Sequence, residues 1–424
     1  MKLLPHRLLI VLGLLIVACS TSAADWIQFR GPGGSGASDE KGLPVKWSSQ
    51  ENIDWRTKLP GSGTSSPIVL GERIYLTCYS RYGLKPNEGD KKNLMRHLLC
   101  IDRTTGKIVW ERDFKPKQPE STYSGGNNSQ HGYASSTVTT DRQRLYVLFG
   151  KSGVYCLDLD GKELWRASVG DGVHGWGSSN SPVLYKELVI VNASVESGSL
   201  VALNKLTGEE VWRVGNIRES WNTPVLVNLA ERTELVVSER ENVLGLDPAT
   251  GKELWRVGGF SGYVCPSVIA HKDMIYVVRG GSAGIRGGGR GDVSDSHVAW
   301  RAGPGSLVPS PVYHDGHLYW APGAVAQCLD AATGKSVYQE RLSPSPGVIY
   351  ASMIVADGKL YCVTQYDGVY VLAAKPEFEQ LAHNVFEDDG SRTNACPVAH
   401  EGQLLMRTDR YLYCIGENTA AEEG

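Results

Sequence analysis

No excess of either charge marks this chain: 43 Lys and Arg stand against 46 Asp and Glu in 424 residues. A nucleic-acid binder gathers basic residues into a field that meets phosphates, so that class is excluded. The apolar run from Leu8 to Val17 is too short to cross a bilayer as a permanent helix, so no transmembrane span is expected. G-x-x-x-x-G-K-[S/T] is missing, which excludes a phosphate-cradling P-loop. No H-E-x-x-H helix is present either, which excludes the zinc-protease arrangement. Of nine cysteines, no two are adjacent.

What is present is a phrase that repeats. It reads Val243 to Trp255 as V-L-G-L-D-P-A-T-G-K-E-L-W. The same phrase closes at Trp110, Trp165, Trp212 and Tyr338, and the other fourth strands carry Trp300 and a weaker Leu381. Such a period of roughly 40–50 residues with strand-like punctuation is the signature of a propeller array. The Asp or Asn before each turn accepts backbone hydrogen bonds, and Gly takes the positive φ that other residues resist. The strand after the turn carries an aromatic side chain that can dock on the neighbouring unit.

Eight entry strands are expected, near Ser65–Pro67, Ser135–Thr137, Asn180–Pro182, Asn222–Pro224, Cys265–Ser267, Pro309–Pro311, Ala351–Met353 and Ala395–Pro397. The eighth unit has no fourth strand after Gly416, whereas an unassigned one lies at Asn52–Lys58 around Trp55. The N-terminus is therefore expected to lock the ring, leaving no sheet edge exposed. The fold class is all-β: an eight-bladed β-propeller of four-stranded antiparallel blades over residues 25–417. Residues 418–424 form an acidic tail expected to be disordered.

The first 24 residues read as an export signal, with Lys2 and Arg7 before the apolar run and small residues at Thr21–Ala24. Ile16–Cys19 also reads as a lipobox, which would lipidate Cys19 and supply a lipid anchor; the two readings stay open. Either one places the folded part in the periplasm or against the outer membrane. Cys100, Cys156, Cys328 and Cys414 share one slot of the phrase, where other repeats have Ala202 and Gly245. Equivalent slots on different units lie too far apart for a disulfide, so core thiols are expected; Cys78 with Cys100 is the one pair to check.

With these phrases the chain resembles the quinoprotein-type β-propellers built from pyrroloquinoline quinone (PQQ) repeats, over nearly everything after the signal. It is similar to exported PQQ-like propellers of planctomycete-type bacteria through Asp25–Pro32, Glu219–Pro224, Arg286–Asp292 and Gly347–Ser352. The propeller subunit of the outer-membrane assembly machinery is similar in fold. The family's dehydrogenases pair two adjacent cysteines beside the quinone, with a Trp platform, a calcium held by Glu and Asn, and an Asp base. This sequence has no adjacent cysteines and no Glu/Asn/Asp set at matching positions. No cofactor is expected; PQQ with calcium is the alternative, with Trp176 or Trp221 as the stacking face.

The long loops are assigned to the face that carries strand 2–3 and blade-to-blade connections, and they include Gly280–Ser296. On that face the candidate ligand or partner residues are His131, His174, Trp176, Trp221, Arg279, Arg286, Arg290 and Tyr350. The two histidines lack a third ligand for a metal, and the three arginines could receive an anionic group. No catalytic or metal-binding residue is assigned. The reading is a monomeric, non-catalytic, exported scaffold that binds an envelope protein or a small ligand, with a role in envelope protein assembly. A PQQ-dependent oxidoreductase and a carbohydrate- or peptide-binding protein are the alternatives.

Overall fold

Eight sheets of four blade strands follow one another along the chain, as the repeat requires, and two of them carry a short fifth strand. The computed structural model describes residues 25–84, 89–120 and 131–416; the signal, Cys19 and the acidic tail lie outside them. Blade 1 comprises Ile68–Leu70, Arg73–Ser80, Met95–Asp102 and Ile108–Phe114, paired antiparallel in that order. Blades 2 to 7 repeat the plan, and the outer strand of blade 7 is Gln380–Asn384, where Leu381 stands. Blade 8 takes Val398–His400, Gln403–Arg407 and Tyr411–Ile415 from the C-terminal end and Ile53–Lys58 from the N-terminal end. Trp55 pairs with Cys414, so the closing strand sits where the sequence expects it. No described helix is long and apolar enough to cross a membrane.

The repeated phrase works between blades. The indole Nε1 of Trp55 donates to Arg103 O on blade 1 at 2.8 Å, Trp110 to Leu159 O at 3.2 Å and Trp165 to Lys205 O at 3.0 Å. Trp212 donates to Pro248 O at 3.1 Å and Trp300 to Ala331 O at 3.0 Å. Each outer strand is thereby pinned to the next blade's turn. The turn glycine is required twice over: Gly208 has φ +76°, and a Cβ there would stand 2.6 Å from the Trp165 ring. The small slot is explained by the same tryptophans. Cys100, Cys156, Ala202 and Gly245 lie directly across the strand pair from Trp110, Trp165, Trp212 and Trp255. Any larger side chain would displace the ring.

All eight described cysteines are free. Cys78 pairs with His97 and Cys100 with Tyr75, so the two thiols are offset along adjacent strands and form no bridge.

Blade 5 departs from the expected plan. Its second and third strands, Met274–Val278 and Ser282–Arg286, are joined by a tight turn at residues 279–281, and the outer strand is Val298–Ala302. The glycine-rich segment after Arg286 thus replaces the Thr-Gly turn and lies on the opposite face from the one assigned above. Gly287 N bonds Asp273 O in the strand 1–2 turn, which fixes that placement. Gly291–Asp292 then adds to the edge of blade 4, parallel to Trp255 and Arg256. Trp255, deprived of a docking turn, donates instead to the buried carboxylate of Glu234 at 2.8 Å.

Candidate functional site in the central channel

The inner strands begin at the axis, and each contributes one equivalent residue to a ring. Ser66 N donates to Thr137 Oγ1 at 3.0 Å, Thr137 N to Ser181 Oγ at 3.0 Å, and Ser181 N to Thr223 Oγ1 at 3.1 Å. Thr223 N then reaches Ser267 Oγ at 3.0 Å, Ser267 N reaches Ser310 Oγ at 2.9 Å, and Ser310 N reaches Ser352 Oγ at 2.8 Å. Cys396 holds the eighth place: its thiol takes the Ser352 backbone, and its N–H returns to Ser66 Oγ at 3.1 Å. The eight residues are all buried. Each hydroxyl satisfies a backbone donor that the neighbouring inner strand cannot reach, so the ring stitches the blades together at the axis.

The segment Trp26–Ser38 crosses the channel on the turn face. Trp26 O accepts Val69 N from blade 1 at 2.9 Å, Ile27 O accepts Thr140 N from blade 2 at 3.1 Å, and Gly36 O accepts Val355 N from blade 7 at 2.8 Å. Ala37–Ser38 pair in parallel with Val355–Ala356. Arg30, 1 % exposed, donates to Pro311 O in blade 6. Phe29 stands between the channel and a smaller cavity beneath it, lining both.

Above this floor the channel holds a cavity of ≈ 350 Å³. Its lower wall is the part of the ring from Thr223 round to Ser66, with Cys265 and Cys396, and its rim carries His131, Trp176, Trp221, Tyr263, Tyr350 and Asn394. The aromatic rings are in mutual contact: Trp176 lies 4.9 Å from Trp221 and 4.7 Å from Tyr263, and His174 lies 4.8 Å from Trp221. Trp221 Nε1 is anchored on Gly177 O at 2.9 Å, which fixes its face. His131 accepts burial for a structural purpose: Nδ1 meets Ser135 Oγ at 2.6 Å, and Nε2 meets Trp176 O. Burial holds its pKa down to about 4, so the imidazole is neutral at pH 7.

The channel mouth therefore gathers His131, His174, Trp176, Trp221 and Tyr350. Arg279 is near the same face but buried, donating to Glu239 O and Arg240 O at 2.8 Å and to Gly262 O at 2.9 Å. Its guanidinium braces two loops and is not offered to a ligand. Arg286 and Arg290 are exposed on the turn face, away from the rim, so the three arginines do not form one anion site. Ser282 falls in a G-x-S-x-G string, Gly280–Gly284, but it is buried in a strand hairpin without the strand-to-helix turn that exposes a nucleophile. Sequence reasoning missed Tyr263, Phe29, Arg30 and the ring. The ring had a signal, because a hydroxyl residue recurs in seven of the eight entry strands at one position; Arg30 had none.

The lining supplies a test for a metal-bound quinone. Calcium takes six to eight oxygen ligands, carboxylates prominent among them. No Asp or Glu lines this cavity among the described residues. The donor set does not fit such a centre.

A family model described as outer membrane protein assembly factor BamB matches residues 95–258 and 196–303. The tetrathionate hydrolase of Acidithiobacillus ferrooxidans is 21% identical over 359 residues, 76% of this chain, and this chain spans 66% of that protein's length, just under two thirds. Among solved structures, the quinohemoprotein alcohol dehydrogenase of Comamonas testosteroni superposes with a TM-score of 0.65 at 14% identity, over 92% of this chain and 80% of that one. BamB of Moraxella catarrhalis superposes with a TM-score of 0.59 at 13% identity, over 85% of this chain and 98% of that one. At these identities the structural likenesses speak for the fold.

Proposed function

The chain is a PQQ-like β-propeller, and from that premise we propose that it is an exported, non-catalytic scaffold that binds a partner protein through the channel mouth. One observation carries this reading. The channel is floored on the turn face by residues 26–38 and presents a fixed aromatic rim on the other, over a well lined by hydroxyls and two thiols. Rigid aromatic rings grouped around a concavity are what hot-spot recognition uses, since they bury area at low entropic cost. The rim suits an uncharged, ring-bearing side chain of an envelope protein. The likeness to BamB supports a protein partner and a place in the cell envelope. A lipid anchor at Cys19 would hold the scaffold at the membrane, and intact-mass analysis of the mature N-terminus decides it.

The test is capture of partners from the native envelope in parallel with the Trp176→Ala/Trp221→Ala variant. Partners retained by the wild type and lost by the variant support the reading. Equal capture by both sinks it.

The fold likeness to quinohemoprotein dehydrogenase favours a second reading, a quinone-dependent oxidoreductase. The absence of carboxylates from the cavity lining among the described residues speaks against it. Reconstitution with PQQ and calcium, followed by dye-linked alcohol oxidation, separates the two.

A further inference from the structure

On blade 1, two carboxylates converge on one ring nitrogen. His97 stands on the third strand, Met95–Asp102, and its Nδ1 lies 2.8 Å from Asp113 Oδ1 and 2.8 Å from Glu111 Oε1 on the outer strand, Ile108–Phe114. The ladder dictates the grouping. Asp113 is directly opposite His97, and Glu111, two residues back along the same strand, projects from the same face. The three ligating atoms all lie within 4.8 Å of one another.

An imidazole nitrogen carries one proton or one lone pair, so it can serve one carboxylate well. Asp113 takes the hydrogen bond, and Glu111 stands equally close to the same atom. The other ring nitrogen is already committed: Nε2 meets Ser80 Oγ at 2.7 Å, and that contact fixes the plane of the ring. No lysine or arginine forms an ion pair with Glu111 or Asp113 among the described residues. Both carboxylates have water to turn to, with side chains 35 % and 50 % exposed, whereas the His97 side chain is only 5 % exposed. Like charges that converge on a buried nitrogen instead of parting call for a cation between them. A proton on Nδ1 would balance one of the two charges; a divalent ion balances both.

The donor set selects the ion. One imidazole nitrogen with two carboxylate oxygens suits zinc, which binds both at about 2.0–2.2 Å, whereas calcium takes oxygen alone. Tetrahedral ligands at that reach stand roughly 3.4 Å apart, so each carboxylate would withdraw by about 0.6 Å, a small adjustment for a partly exposed side chain. Three protein ligands leave the fourth position to water on the exposed side.

We infer that His97 Nδ1, Glu111 and Asp113 form a divalent transition-metal site of the zinc class on the flank of blade 1, with Ser80 holding the imidazole in place. An ion there would clip the outer strand of blade 1 to the third. It would do so beside the closure seam, since Leu99, on the same face as His97, shares a core with Leu405 and Cys414 of blade 8. The site lies outside the channel and does not depend on what binds at the rim.

The test is calorimetric titration of the full mature chain, untagged and stripped with EDTA, with zinc chloride and separately with calcium chloride. Saturable one-site zinc binding without calcium binding is expected, together with a thermal midpoint that rises with zinc. Glu111→Gln/Asp113→Asn keeps the side-chain shapes on an exposed strand and should weaken zinc binding at least about tenfold. The same variant should capture partners as the wild type does, whereas Trp176→Ala/Trp221→Ala should bind zinc normally, so the two proposals fail separately. Anomalous diffraction at the zinc edge from soaked wild-type crystals should place the ion beside His97 Nδ1. No saturable zinc binding by the wild type, equal binding by the variant, or an anomalous peak elsewhere overturns the site. Calcium binding as tight as zinc overturns the assignment of the ion.

Discussion

Cys396 N donates to Ser66 Oγ at 3.1 Å across 330 residues of chain, and this one bond completes the ring of blades at the axis. The outer edge closes separately, through Trp55 against Cys414. The last blade is thus held at both its inner and outer strands by residues from the start of the chain. Ser66→Ala removes the acceptor from a buried N–H and should cost about 1–3 kcal/mol in chemical denaturation. A loss within error of zero would show that the ring is bridged by water instead.

The turn glycines should separate two kinds of strain. Gly208→Ala places a Cβ into the Trp165 ring and also demands φ +76°, so a loss of about 2–4 kcal/mol is expected. Gly358→Ala meets nothing within 4 Å at φ +65°, and should cost only about 1 kcal/mol. Equal losses at the two sites would mean that the tryptophan yields and the interblade dock is soft.

His131 sets an acid limit. Its folded pKa, about 4, lies below its ordinary value of 6.5, so the unfolded chain binds the extra proton first as pH falls. The stability it confers is complete above about pH 6.5 and is lost as pH drops towards 4, by up to about 3 kcal/mol. Denaturation midpoints measured from pH 7 to 4 should fall, and His131→Gln should flatten that part of the profile. A profile unchanged by the substitution would assign the acid sensitivity to other groups.

The thiols should behave as core residues. Of the eight described free cysteines, seven are buried, and Cys265 alone is partly exposed, in the channel wall. Burial pushes the Cys265 thiol up to about 12, so it should react slowly with a thiol reagent at pH 8 yet before the others. Dithiothreitol should leave the thermal midpoint unchanged. A midpoint that drops on reduction would reveal a disulfide.

The channel's chemistry predicts how it treats a quinone. With no carboxylate in the cavity lining among the described residues, the protein should show no calcium-dependent gain in PQQ affinity by fluorescence quenching of Trp176 and Trp221. A tight calcium-dependent complex would restore the oxidoreductase reading.

Much of the fold is local, and local features are legible. The Asp and Gly of each phrase act within a dozen residues and its Trp reaches the next repeat, so the period is legible; the entry strands count eight blades, and the surplus strand at Trp55 announces how the ring closes. Trp176, Trp221 and Tyr350 were legible for a related reason: each sits just before an entry strand, and the repeat places that position at the axis. Gly280–Ser296 was misplaced because a glycine-rich insertion carries no periodic signal, so its face depends on where the third strand of blade 5 lies; Ser282–Arg286 takes that place and turns Arg286 and Arg290 away from the rim. Arg30 was beyond reach for a different reason. Apart from Ser35 O in the same segment, its partners belong to blades 6 and 8, hundreds of residues away, and nothing in R-G-P says that the segment will run under the channel. The sequence by itself determined the number of blades and their locks, because hydrogen bonds and ring contacts repeat at fixed spacing. Only the tertiary structure decided which end of the channel is closed and what charge lies beneath it, because those follow from one unrepeated strap packed across several blades.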